Sequence, residues 1–223
     1  MDYEPVPLPP RQTLSENDMQ CRAADFLGLM GSRHSVRDFS PRPVPRSLIE
    51  TCLQVAATAP SGANLQPWHF AVIGDPERKA RVRREAEVEE HEFYKGKAGE
   101  EWLGALRPLG TDPKKPFLEI APWLICVFGA RRSLCADGVI RKNYYVPESV
   151  SIATGFLIAA LHQAGLATLT HTPSPMGFLN EICRRPAEEK PYILLVTGHA
   201  AENATIPKYA TVKKPLQEIS SFL

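Results

Sequence analysis

The sequence lacks the features that mark several large classes of proteins. Its 26 Lys and Arg residues are balanced by 25 Asp and Glu residues, so a formal net charge of +1 gives no reason to expect a nucleic-acid partner. The five cysteines are odd in number and form no CxxC pair, which favours a reducing compartment over a disulfide framework. The longest apolar run, residues 150–161, is shorter than the roughly 20 residues that span a bilayer. We therefore expect a cytoplasmic protein with no membrane partner.

Short motifs for other common sites are also missing. There is no GxGxxG and no GxxxxGK[ST], so neither a Rossmann dinucleotide site nor a phosphate-binding nucleotide loop is indicated. The six histidines show no metal-ligand spacing with each other or with cysteine, and we expect no metal. The amino terminus has neither a basic start nor an apolar core, so we expect no secretory leader.

The order of predicted elements indicates a mixed α/β domain with one principal sheet. Residues 1–20 form a Pro-rich, polar arm, and residues 21–223 are long enough for one domain. Apolar spacing and composition predict helices over 21–31, 46–57, 149–164 and 177–184, and strands over 69–73, 123–128, 166–170 and 192–197. The helix at 149–164 is apolar nearly all round, which predicts burial on every side and a place at a subunit interface. Parallel and antiparallel sheets are both compatible with these strands.

Residues 75–118 differ from the rest of the chain and predict a lid. Arg, Lys and Glu dominate the first part with little apolar periodicity, which indicates a solvated helix outside the core. Pro and Gly then indicate a loop over residues 107–116. A solvated helix and a loop that project from a domain are suited to cover a ligand.

The sequence Thr-Ala-Pro-Ser-Gly-Ala-Asn-Leu-Gln-Pro-Trp, residues 58–68, predicts a turn that leads into a strand. Its small side chains let a planar ligand approach the backbone. Upstream, Arg33, Ser35 and Arg37 alternate, so in an extended segment they share one face and can bind a phosphate. An edge strand with solvated side chains is the alternative. A phosphate clamp followed by a slot for a flat ring indicates a flavin mononucleotide (FMN) site.

Together these residues resemble the nitroreductase superfamily of FMN flavoproteins and, within it, the iodotyrosine deiodinase family. Besides the clamp and the turn, the motifs that carry the resemblance are Tyr144-Tyr145 with residues 148–153, Thr172-Pro173, residues 185–190 and Lys214-Pro215-Leu216. The resemblance implies an α+β, nitroreductase-like fold with a central, mostly antiparallel sheet wrapped by helices. It further implies an intertwined homodimer with FMN at the interface.

The resemblance also implies a set of FMN-binding residues. They are Arg33, His34, Ser35, Arg37, Pro60, Ser61, Gly62, Thr170, His171, Thr172 and Lys213. Two of them depart from the family, since His34 and Lys213 stand where it carries arginines, and a lysine cannot form the bidentate fork. Thr172 matches a threonine whose hydroxyl donates to flavin N5 and favours stepwise, one-electron reduction.

A second set of residues is implied to bind substrate. On a helix, Glu90 and Tyr94 share one face, and Lys115 follows from the loop. An acid, a phenol and an ammonium suit an amino-acid zwitterion, although so many glutamates on this helix also allow a chance match. These residues match the trio that holds halotyrosine in the deiodinase family, and the backbone N–H of Ala63 matches the donor to the substrate phenolate. Ala63 and Thr172 are thus the implied catalytic groups.

The sequence therefore predicts FMN-dependent reductive dehalogenation of halotyrosines. Electrons would come from an external donor, either NAD(P)H or a flavin-reducing partner. Two alternatives remain open: a broad NAD(P)H-dependent nitroreductase or quinone reductase, and a non-catalytic protein that binds a halotyrosine or flavin.

Overall fold

A computed structural model of the chain describes residues 3–134 and 137–223. These residues divide into two compact units, of which the first ends at Arg33 and the second begins at His34. Residues 1 and 2 of the predicted arm lie outside the described residues. The division into an arm at 1–20 and a domain at 21–223 stays a prediction.

The amino-terminal unit contains one helix within the described residues, α1 (Glu16–Gly31). It ends at Gly31 as predicted but begins before residue 21, because Ser15 supplies an N-cap that the sequence analysis missed. The Ser15 hydroxyl oxygen accepts a hydrogen bond from the Asp18 amide at 3.1 Å. None of the helix is buried within its unit.

The larger unit alternates helices with strands, as the sequence predicts. Across its described residues the helices are α2 (Arg46–Ala57), α3 (Pro76–Glu92), α4 (Glu100–Leu106), α5 (Phe117–Ile120), α6 (Val146–Gln163), α7 (Phe178–Ile182) and α8 (Leu216–Ile219). The strands are β1 (Trp68–Ile73), β2 (Trp123–Ala130), β3 (Arg132–Leu134), β4 (Ile140–Lys142), β5 (Ala167–His171) and β6 (Glu189–Gly198). The small β3–β4 hairpin, α4, α5 and α8 were not predicted.

The main sheet has the strand order β1-β2-β6-β5, and every neighbouring pair is antiparallel. This confirms the fold class and decides between the two sheet types that the strand pattern left open. The central strands β2 and β6 are buried on both faces, which explains their continuous apolar sequences. No helix in the described part of the chain is long and apolar enough to cross a membrane.

Two apolar layers cover the two faces of this sheet. On β2, Leu124, Cys126 and Phe128 pack against α3, α5 and α7. The alternate residues Ile125 and Val127 pack instead against α2 and α6. The sheet therefore separates α3, α5 and α7, on one face, from α2 and α6, on the other.

Two helices differ in burial from their predictions. The expectation that α3 lies outside the core is wrong for a stripe of one face, where Lys79, Val82 and Ala86 are buried. The Lys79 ammonium is satisfied by the carbonyls of Glu119 and Ala121, at 2.9 and 2.8 Å, so a lysine can occupy this stripe. Conversely, α6 is not buried on every side within one chain, because Ile152 and Phe156 remain exposed.

Candidate active site

A cavity of about 800 Å³ lies where the lid meets the carboxyl end of β5. The lid contributes residues from the end of α3 to the start of α5. The opposite wall is the segment 169–177, which runs from β5 towards α7, and Arg37 and residues 190–192 complete the lining. The cavity thus contains much of the predicted substrate and cofactor machinery.

Glu90 and Lys115 form an ion pair inside this cavity. Oε2 of Glu90 lies 3.0 Å from Nζ of Lys115, and their side chains are only 14% and 7% exposed. The Lys115 ammonium also donates to the carbonyl of Asp112, while the Lys115 amide donates to the Glu87 carboxylate at 2.7 Å. The carboxylate and the ammonium of the predicted zwitterion site are therefore both present in the free chain, where they neutralise each other.

Tyr94 lies beside this pair. Its hydroxyl is 2.6 Å from the Thr111 hydroxyl, and its ring centroid is 5.8 Å from Nζ of Lys115. Burial, with a further contribution from the Glu90 carboxylate, raises the pKa of Tyr94, so the phenol stays protonated and can donate a hydrogen bond. The structure thus brings Glu90, Tyr94 and Lys115 together in one cavity.

Three successive residues at the end of β5, residues 170–172, differ in their exposure to solvent. All three residues line the cavity; Thr170 and Thr172 are exposed, whereas His171 is buried with its ring edge-on to Phe117. Nε2 of His171 has no hydrogen-bond partner among the described residues. Burial, then the Lys115 and Arg37 charges, lower the pKa of His171 from 6.5 to about 3, so its imidazole is neutral.

Only part of the predicted phosphate clamp reaches this cavity. Arg37 lines it, and the clamp segment is held by a parallel bridge between Ser35 and Thr168 of β5. Neither His34 nor Ser35 belongs to the described lining. Arg33 ends the separate amino-terminal unit, where its amide donates to the Met30 carbonyl at 3.2 Å.

The turn that contains Pro60, Ser61, Gly62 and Ala63 contacts α6 and not the lid. The Gly62 amide donates to the Ser149 hydroxyl at 3.3 Å. A Cβ at Gly62 would lie 2.8 Å from Cδ2 of Tyr145, so only glycine allows this approach. None of the four turn residues belongs to the cavity lining of the described chain.

The same turn has an unusual backbone. Ala63, Asn64 and Gln66 have φ angles of 50°, 52° and 47°, in the left-handed region that non-glycine residues seldom adopt. Ala63 is exposed at this site. Such conformations cost free energy and persist where surrounding contacts impose them, which is common at ligand sites.

Lys213 does not reach the cavity. It is exposed, and its ammonium donates to the carbonyl of Ala210 at 2.9 Å, within its own turn. Its predicted role as a phosphate contact stays a prediction.

The sequence analysis missed an aromatic wall on the lid. Phe93 and Trp102 line the cavity with ring centroids 5.1 Å apart in an edge-on arrangement. One turn of π-helix, Phe93–Lys97, follows α3 and connects it to the segment that carries Trp102. Aromatic residues within a segment dominated by charge were the signal available in the sequence.

The fold and this site are typical of FMN-dependent reductases, and the sequence comparison agrees. The chain belongs to the nitroreductase family, whose family model matches residues 30–204. Within that family it is similar to the iodotyrosine deiodinase of Haliscomenobacter hydrossis, at 53% identity over 85% of this chain and 86% of that protein. The iodotyrosine deiodinase of Danio rerio is 42% identical over 91% of this chain and 68% of that protein.

A solved structure has the same fold. It is a crystal structure of oxidised iodotyrosine deiodinase bound to FMN and 3-iodo-L-tyrosine, with a TM-score of 0.70 and 32% sequence identity. The match covers 85% of this chain and 94% of that chain.

Proposed function

We propose that this chain is an FMN-dependent reductive dehalogenase that acts on halotyrosines. The observation that carries the proposal is the convergence of Glu90, Tyr94 and Lys115 in the same cavity as Thr172. The relatives and the solved structure described above carry this activity or these ligands in their names. A general nitroaromatic reductase has no need of a buried acid and a buried ammonium in its lid.

The groups on the cavity wall suit FMN. A flavin ring offers mainly carbonyl and nitrogen acceptors on its pyrimidine side, and the wall supplies donors in the Arg37 guanidinium and the hydroxyls of Thr170 and Thr172. A neutral His171 adds no charge beneath them. When bound, FMN supplies the electrons for cleavage of the carbon–halogen bond. Thr172 is the residue whose hydroxyl would donate to flavin N5.

The lid selects the substrate through its ion pair. The ammonium of a halotyrosine replaces Lys115 as the partner of Glu90, and its carboxylate becomes the partner of Lys115 and of the Tyr94 hydroxyl. A ligand with only one of these charges would leave a buried group unpaired, which is costly. The lid thus favours the whole amino acid over a simple halophenol, and closure over it excludes water.

The turn completes the site only if a second copy supplies it. Ala63 is the group whose N–H would stabilise a substrate phenolate, yet its turn contacts α6 on the other face of the sheet. Tyr144 and Tyr145 beside the turn are exposed, and so are Ile152 and Phe156 further along α6. An apolar face of this kind suits an interface between two copies. The proposed enzyme is therefore a homodimer in which one chain's turn faces the other chain's lid.

A mixed dimer tests this arrangement. A turn variant, Gly62→Val, and a lid variant, Glu90→Gln with Tyr94→Phe, are co-expressed with different tags, and the heterodimer is isolated. If each site combines a turn and a lid from different chains, one of two sites is intact and about half of wild-type turnover returns. A heterodimer as inactive as both parent dimers would place each site within one chain.

An anaerobic titration tests the activity itself. FMN-loaded protein is reduced with dithionite and mixed with 3-iodotyrosine, while flavin absorbance and released iodide are followed. We expect reoxidation of the flavin with one iodide per flavin. Binding without iodide release would favour a non-catalytic binding protein. Turnover of NADPH with a nitroaromatic, but none with halotyrosine, would favour a general nitroreductase.

A further inference from the structure

Two cysteines outside the cavity meet beneath α7. Cys126 is fully buried on β2, on the sheet face that α7 covers. Cys183 follows the last residue of α7, is half-buried and packs against the same apolar layer. Both thiols therefore lie in the same layer, close enough to interact as a hydrogen-bonded pair, and both cysteines are free. The pair therefore joins the central sheet to the end of a surface helix.

Two arginines, Arg78 and the Glu189-paired Arg185, act on the more exposed member of the pair. Arg78 of α3 donates from Nη1 to the carbonyl of Ile182 at 2.9 Å, which brings its guanidinium beside Cys183. Arg185 lies two positions further along the chain. The hydrogen bond from the Cys126 thiol, followed by the Arg78 and Arg185 charges, lowers the pKa of Cys183. The same hydrogen bond, with burial, raises the pKa of Cys126.

These opposite environments give the two thiols different reactivity. Thiolate is the reactive form of cysteine, so Cys183 is the nucleophile that a solvent-borne oxidant meets first. Cys126 is shielded from solvent but already in contact with the Cys183 sulfur. A half-exposed, activated thiol next to a buried resolving thiol is the arrangement of a redox-sensitive pair.

We propose that Cys126 and Cys183 are a peroxide-sensitive dithiol that closes to an intramolecular disulfide. The Cys183 thiolate attacks hydrogen peroxide, the O–O bond breaks, and Cys183 becomes a sulfenic acid while the other oxygen takes up the proton lost by the thiol and leaves as water. The Cys126 sulfur then attacks the Cys183 sulfur, the S–O bond breaks, and a second water leaves. The two thiols lose two electrons in total, and hydrogen peroxide is reduced to two waters.

The site has a connection to the cavity. The segment 169–177 forms one cavity wall and leads directly into α7, whose end carries Cys183. A disulfide would tie this segment to the central strand β2. Neither Cys52, buried in the layer that contains α2, nor Cys21, exposed on α1, shares this position.

Peptide mapping of the oxidised protein tests the proposal. The FMN-loaded full chain is treated with increasing hydrogen peroxide, its remaining thiols are alkylated in denaturant, and disulfide-linked peptides are identified by mass spectrometry. We expect a peptide pair that contains Cys126 and Cys183, and a loss of two of the five thiols. A cyclic-diketone probe for sulfenic acid should label Cys183 several-fold more strongly in Cys126→Ser than in the wild type.

The control is Cys52→Ser, which removes a buried thiol from the other side of the sheet and should leave the linked peptide unchanged. The wild-type map does not depend on whether any variant folds. Peroxide treatment that leaves both thiols reduced would overturn the proposal. So would oxidation of Cys183 to sulfinic acid without a linked peptide, or a disulfide from either cysteine to a different partner.

Discussion

The lid cavity and the turn at residues 60–66 lie on opposite faces of one sheet and depend on different kinds of interaction. The cavity contains the buried ion pair between Glu90 and Lys115, and beside it a buried histidine, His171, that stays neutral. The turn relies instead on backbone, with a glycine against an aromatic ring and several left-handed residues. The lid is therefore sensitive to charge and pH, and the turn is sensitive to volume.

Of the effects predicted from this contrast, the largest is a loss of folding stability in acid, caused by His171 on the wall of the lid cavity. The pKa of His171 is about 3 in the native chain, below its unfolded value of 6.5. Between these values the unfolded state binds the proton and the native state does not, so stability falls as pH falls. The free energy of unfolding should drop by about 1.4 kcal/mol per pH unit in this window. Urea unfolding at pH 6.5 and 4.5 measures a loss of about 2–3 kcal/mol.

His171→Gln identifies the group that is responsible. Glutamine has no proton to gain in this pH range, so the variant should lose clearly less stability between pH 6.5 and 4.5 than the wild type. His91→Gln, at an exposed position on α3, is the matched control and should keep the wild-type slope. Equal slopes in all three proteins would show that His171 titrates normally.

The second effect tests whether the charge of Glu90 contributes to substrate binding. Glu90→Gln keeps the shape of the side chain but removes the charge that would pair with a substrate ammonium. Halotyrosine affinity should weaken by about 1.5–3 kcal/mol, the scale of a hydrogen bond to a charged group. Fluorescence quenching of bound flavin gives the Kd. Glu92→Gln removes an exposed carboxylate that pairs with Lys97, and its Kd should be unchanged.

The same contrast explains how much of the molecule could be predicted from sequence. Glu90 and Tyr94 are four residues apart, so helical spacing already predicts that they share a face, whereas Lys115 comes 21 residues later, beyond α4, and only the family resemblance joined it to them. The sheet order and its antiparallel pairing join distant segments, and strand composition does not encode them. The position of Ala63 is harder still. The residues of the turn predict its backbone conformation, but they do not encode whether the turn meets the lid of its own chain or that of a second copy.

A smaller effect tests how tightly the turn is packed at Gly62. Gly62→Ala places a Cβ 2.8 Å from Tyr145 Cδ2 and 3.0 Å from the Tyr144 carbonyl oxygen, so backbone or ring must move. Overpacking of this kind costs about 1–3 kcal/mol of stability. Thermal unfolding of the purified protein measures it. Gly104→Ala on α4 meets nothing within 4 Å and should be neutral or slightly stabilising. Equal stability of the two variants would mean that the turn is not tightly packed.

The smallest effect concerns the hydroxyl that links the lid to its loop. Tyr94→Phe removes the 2.6 Å contact with Thr111 but keeps the ring beside Lys115. Because the Lys115 ammonium would still pair with the substrate carboxylate, the loss of halotyrosine affinity should be about 0.5–1.5 kcal/mol, the net value of one hydrogen bond. Tyr209→Phe, at an exposed ring, is the control and should not change the Kd. A loss as large as that of Glu90→Gln would mean that the Tyr94 hydroxyl, and not Lys115, is the principal partner of the substrate carboxylate. No loss at all would leave zwitterion recognition to the ion pair.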